Sequence, residues 1–154
     1  MKISTFKKVI QEHRAAVLAA AEAKRLGELQ KQEAQRKFAS SFAEVAGIAR
    51  PIFERFVAEL QEEGLQAVVD MQPDESGNPA IAMRFSCNPE NVSGPDCMFR
   101  LAGDVAVSKV QRITRVRHDD PGSGAAHELQ SINPTMINQQ LAEALRRGLK
   151  EFAA

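Results

Sequence analysis

Two cysteines, three histidines and a run of basic residues are where this 154-residue chain carries chemistry beyond packing. Cys87 and Cys97 flank residues 88–96, a loop with two Pro and one Gly. Paired across a hairpin, the two would lie within disulfide reach. No third Cys and no adjacent His completes a zinc pattern. Two buried thiols acting as small hydrophobes is the preferred reading, with a bridge as the alternative.

His118, Asp119, Asp120 and His127 mark the two ends of another loop. Imidazole plus carboxylate is metal-ligand chemistry. The tip between them is built of turn formers, so an ordinary exposed loop is preferred and no metal or cofactor is assigned. Ser86, Ser93, Ser108 and Ser123 lack the glycine setting of a nucleophile elbow. There is no phosphate-binding glycine loop, dinucleotide fingerprint or HExxH. No catalytic residue is assigned, and the chain is read as not an enzyme.

The basic run is the sharpest local signal: Lys109, Arg112, Arg115, Arg117 and His118 fall within ten residues. Pairing Cys87 with Cys97 would place Phe85 opposite Phe99 and Met83 opposite Leu101. Arg84 would then face Arg100 on the other side of the hairpin. Like charges directly opposite repel, so a partner is expected, either internal, such as Asp70, or an external phosphate or acidic surface. Arg84, Arg100, Lys109, Arg112, Arg115 and Arg117 form the candidate nucleic-acid surface. With no Trp and no Tyr, base-stacking platforms are scarce.

The remaining candidates lie near the N-terminus. Phe6, Ile10, His13 and Val17 share one face of an expected helix beginning after Ser4 or Thr5. Residues 27–37 suit a helix but hold only Leu29 and Ala34 as apolar side chains, so they read as solvated. With no Pro and one Gly, a tight hairpin turn is poorly signalled there. A long helix exposing Phe6, Ile10 and Val17 is the favoured outcome, and exposed apolar stripes usually mark an interface.

The elements that must position these groups follow from periodicity. Phe38, Phe42, Val45, Ala49, Ile52, Phe56 and Leu60 recur at steps of three and four, one broad helical face. Gly47 and Pro51 interrupt it, and proline removes the bond to the Gly47 carbonyl, so a break or strong kink is expected near 47–51. Gly64 is the stop. Alternating residues then predict strands over 65–71, 81–87 and 97–101, with turn chemistry at 73–79. Gly103-Asp104 reads as a turn or bulge. A long bulged strand is expected over 105–118, because Val107, Val110, Ile113 and Val116 are spaced by three. Residues 119–126 read as loop and 127–132 as the last strand. Asn133-Pro134 opens a final helix faced by Ile137, Leu141, Ala144, Leu145, Leu149 and Phe152.

The fold class is therefore α+β: a long N-terminal helix, a four- to five-stranded antiparallel meander, and a C-terminal helix packed on the sheet. The expected division is a helical arm over 1–37 and a compact body over 38–154. Hydrophobic residues make up 44% and charged residues 26%, ordinary for a soluble globular protein. Net charge is zero but segregated. Residues 1–37 hold nine basic and four acidic groups; residues 38–80 hold two and eight. Neutrality argues against a dedicated polyanion binder. The Ala-rich run at 15–21 is too short for a membrane span and follows charged residues, so a cytoplasmic protein with no membrane partner is expected. The functional expectation is a non-enzymatic interaction protein, self-associating as a coiled-coil homodimer or docking a protein partner. A nucleic-acid-associated protein is the second reading, and an enzyme or metal binder using the 118–127 loop the third.

Overall fold

The computed structural model describes residues 4–90, 94–117 and 120–153. The order of elements is α1 (Thr5–Glu62), β1 (Ala67–Asp70), β2 (Ala80–Phe85), β3 (Cys97–Asp104), β4 (Lys109–Arg115), β5 (Ser123–His127), a 3-10 turn (Leu129–Ser131) and α2 (Pro134–Ala153). The five strands form one antiparallel sheet in sequence order, the expected meander. The chain divides into two compact units, Met1–Lys37 and Phe38–Ala154.

The first unit is helix. The Ser4 hydroxyl accepts a hydrogen bond from the Lys7 amide at 3.2 Å, the anticipated N-cap. Of residues 4–37, only Gln35 is not fully in the exposed class.

In the second unit, α1 continues through Pro51 to Glu62 as one element, so the anticipated break does not occur. A proline deletes one backbone bond in a helix. Here Ala49 and Phe53 on either side are completely buried, and tertiary packing holds the helix through the gap. The helix stops where the Leu65 amide bonds the Leu60 carbonyl and the Gly64 amide that of Gln61, both at 3.0 Å.

Phe38, Phe42, Val45, Ala49, Phe53 and Leu60 are the buried stripe of α1. With Ile137, Leu141 and Ala144 of α2, the residues from Phe42 onward join one core against Ile81, Met83, Phe85, Cys97, Phe99, Leu101 and Val110 of the sheet. Phe53 meets Phe99 edge-on, with ring centroids 5.8 Å apart and planes at 78°. α2 begins as expected: the Asn133 side chain accepts from the Met136 amide at 2.9 Å and the Asn133 carbonyl from Ile137 at 3.0 Å.

The sheet departs from expectation in register and in the bounds of β2, β3, β4 and β5. β2 pairs with β3 two residues away from the anticipated alignment: Phe85 faces Cys97, Met83 faces Phe99 and Ile81 faces Leu101. A shift of two leaves every side chain on its face, so alternation alone cannot choose between these registers. β2 ends at Phe85 because Ser86 turns the chain. Its amide bonds the Gln66 carbonyl and its hydroxyl accepts from the Asn88 amide.

Gly103-Asp104 is strand, not turn; the β3–β4 turn spans 105–108, with Ser108 at φ 53°. β4 is correspondingly shorter and pairs without interruption over seven positions. The spacing of three has a plain cause. Val107 is in the turn, Val110 faces the core, Ile113 faces away, and Val116 lies beyond the strand. β5 comes earlier than expected, at Ser123–His127, so it takes in most of the expected loop. The expected last strand over 127–132 is replaced beyond His127 by the 3-10 turn at Leu129–Ser131.

Candidate functional site

The expected interaction residues are all presented by α1. Phe6 is 82% exposed and Ile10 and Val17 about half exposed. His13 is exposed as well. Val9, Leu18, Leu26 and Leu29 add further open apolar area; Leu18 and Leu26 fall outside the stripe expected from sequence. Helical spacing sets Phe6, Ile10, His13, Val17 and Ala20 at alternating steps of four and three. Continuing the same steps reaches Lys24 and Lys31, so charge interrupts the seam in its second half.

The six basic residues do not form one surface. Strand alternation puts Lys109 and Arg115 on the face of β4 away from the helices and Arg112 on the other face. Arg117 lies beyond the strand and reaches Glu151 at 3.3 Å. Lys109 is paired with Glu128. Arg112 donates from Nε to His127 Nε2 at 3.2 Å. Burial, and then that guanidinium, hold the His127 imidazole below its usual range, which leaves the ring neutral and able to accept the bond.

Arg84 and Arg100, expected to oppose each other, are offset by the corrected register. Arg84 faces Met98 and Arg100 faces Ala82. Each has a carboxylate. Arg84 Nε donates to Asp70 Oδ2 at 3.1 Å, the internal partner anticipated from sequence. Arg100 donates from both terminal nitrogens to the two oxygens of Glu75, each at 3.2 Å. The Gln72 amide, followed by Arg84 and Arg100, holds the Asp70 carboxyl below its usual range. The Arg100 fork does the same for Glu75, with Arg115 adding to it. The Glu75 contact was missed because nothing in the turn-forming 73–79 segment says which side chain folds over the sheet.

Cys87 and Cys97 are buried free thiols, the preferred expectation. Both sulfurs lie beneath Gly148 of α2, where a β-carbon would stand 2.8 Å from Cys87 Sγ and 3.3 Å from Cys97 Sγ. Cys97 Sγ is 3.3 Å from the Val116 carbonyl. Its hydrogen bond to Cys87, and then burial, push the Cys97 thiol up. The same bond holds the Cys87 thiol below its usual range, so it is burial, common to both, that makes them slow to react. Alkylation without reductant is expected to label neither Cys in the native chain over minutes and both after denaturation. A mass two hydrogens short, with no label after denaturation, would show a bridge instead.

His118 and Asp119 lie outside the described residues. Asp120 accepts from the Val116 amide at 3.2 Å and the Gly122 amide at 2.9 Å. Among the described residues no group of three or more His, Cys, Asp or Glu side chains is placed to hold a metal ion. No helix among them is long and apolar enough to cross a membrane.

One concave surface was not anticipated. An apolar groove of about 450 Å³ lies between Ala39, Ala43 and Gly47 of α1 and Met71, Pro73 and Pro79 of the β1–β2 connection. Its signal in the sequence is the spacing of four between three small residues on the helix, flanking the large buried ones. The chain matches no family model, and no curated protein or solved structure matches it significantly.

Proposed function

We propose that the chain is a non-enzymatic interaction protein that pairs with a second copy of itself through the N-terminal part of α1. The observation that carries this reading is the open apolar face at Phe6, Val9, Ile10 and Val17, each more than half exposed. A long helix of this kind gains most of its stability from packing, and isolated helical segments are marginal in water. A second helix laid along the face supplies that packing with the residues the chain already has. An in-register parallel pair would bring Lys24 and Lys31 against their own copies in the seam, so an antiparallel pair is the arrangement proposed.

Sedimentation equilibrium tests it. The intact chain is expected to dimerise at micromolar concentration. The double substitution Phe6→Asp with Ile10→Asp is expected to weaken the dimer by about ten-thousandfold, since four apolar anchors per pair are lost at about 1.5–3 kcal/mol each when fully covered. Both side chains being exposed, the folded body should melt unchanged. A monomeric intact chain at high concentration would sink self-pairing and leave the exposed face to a different protein.

The nucleic-acid reading takes second place. Its six basic residues are split between the two faces of the sheet, and five of them have a carboxylate or imidazole partner of their own. The enzymatic reading has the least support, since His127 and Asp120 are each engaged in local hydrogen bonds.

A further inference from the structure

Three arginines of adjacent strands share the sheet face turned away from the helices. Arg84, Met98 and Arg115 align across β2, β3 and β4, and Arg100 stands in the next row between Ala82 and Ile113. Adjacent strands lie about 4.8 Å apart, within reach of one another's guanidinium groups. Asp70 is committed to Arg84.

Arg100 and its partner are unlike in burial. The Arg100 side chain is only 10% exposed, while that of Glu75 is 82% exposed. A buried cation needs a counterion, and here it is supplied from the solvent side by a loop. The backbone of that loop has its own support. Asp74 Oδ1 accepts from the Ser76 and Asn78 amides, both at 2.9 Å. The Glu75 side chain is therefore free to swing out by rotation about its own bonds while the loop stays in place.

The donors also outnumber the acceptors. Arg100 Nε and Arg115 Nε are buried and have no hydrogen-bond partner among the described residues. A buried guanidinium N–H without an acceptor is costly, and an unsatisfied one in a native structure calls for a reason. Charge points the same way. Three guanidinium groups against Asp70 alone leave two positive charges, which Glu75 only half neutralises.

We propose that Glu75 occupies an oxyanion site, and that a phosphate dianion displaces it to bind between Arg100 and Arg115. The planar fork of Arg100 suits phosphate as it suits carboxylate. Two negative charges match the two positive ones, and phosphate's additional oxygens reach the Nε groups that the carboxylate leaves unpartnered. Free phosphate and a phosphate monoester share this chemistry.

The test is a titration of the intact, ¹⁵N-labelled chain with inorganic phosphate and, separately, with phosphoserine, at constant ionic strength held by chloride. The Nε–H resonances of Arg100 and Arg115 are expected to shift saturably. Glu75→Gln removes the competing charge and should tighten phosphate binding roughly tenfold, as expected for one charge-assisted pair. Arg115→Gln should weaken it to a similar degree. Because Glu75→Gln also removes the counterion of Arg100, its thermal midpoint is read with and without phosphate. Phosphate should raise it more than in the parent chain. Saturation by phosphoserine and not by inorganic phosphate would identify a monoester as the ligand. No saturable shift with either in Glu75→Gln, or binding no tighter than in the parent, overturns the proposal. Unchanged affinity in Arg115→Gln does the same.

Discussion

Phe53→Ala is expected to cost about 3–5 kcal/mol of folding stability, the range for removing a buried aromatic ring. Phe53 is fully buried and stands where the helix stripe meets the middle of the sheet. Two terms add. The ring's apolar surface is no longer withdrawn from water, and the edge-on contact with Phe99 is lost. The neighbours cannot collapse into the space, because a backbone helix and a five-stranded sheet hold them apart. Against a total of about 5–15 kcal/mol for a domain, the loss is a large share. The midpoint of thermal unfolding should fall by on the order of 10–20 °C. Phe152→Ala provides the contrast. Its side chain is 55% exposed at the end of α2, and the change should stay within about 0.5 kcal/mol. Equal midpoints for the two variants would mean that Phe53 is not in the core described.

Gly103→Val is expected to be the second most damaging change, and by the opposite mechanism. A β-carbon at Gly103 would lie 2.7 Å from Cγ and 2.9 Å from Cδ2 of Phe42. Those atoms belong to a rigid ring that is 1% exposed, so they have nowhere to go. Valine adds two methyl groups beyond that carbon. The helix must lift from β3 or the strand must bend. Overpacking of this kind costs about 1–3 kcal/mol and sometimes more. Hydrogen exchange provides the readout, with protection expected to fall at Leu101, Gly103 and the residues of α1 around Phe42. If Gly103→Val leaves both exchange and midpoint unchanged, the close approach of α1 to β3 is wrong.

Gly103 also shows where sequence reasoning stopped. A Gly-Asp pair between two apolar runs is ordinary turn or bulge chemistry. The glycine is needed because a phenylalanine 61 positions earlier lies on top of it. No local window contains that fact. Pro51 is the converse case. Locally it should end a helix, and the buried residues on both sides carry the helix through it. The segment at 123–126 looks like loop locally because Ser, Gly and Ala have little tendency to form strands. It is a strand because β4 offers its edge.

The candidate sites divide in the same way. Exposure of Phe6, Ile10 and Val17 was anticipated from the polar stretch that follows them, as was the Arg84–Asp70 pair. The Glu75–Arg100 fork was not. It joins residues 25 apart through a turn whose side-chain directions periodicity does not encode.

Sequence alone determined most of the residues that are buried together, the order of helices and strands, and the capped start of α2. Leu149 and Phe152, on the expected face of that helix, are exposed instead because its last turn runs past the sheet's core. Burial follows from periods of 3.6 and 2.0, and these are properties of a single segment. Tertiary structure decided the register between β2 and β3, the passage of α1 through Pro51, and which carboxylate guards the arginine cluster. Each of these is a choice between local arrangements nearly equal in energy. A two-residue slip conserves every face, and a proline costs one hydrogen bond, so contacts between distant segments select the one that is formed.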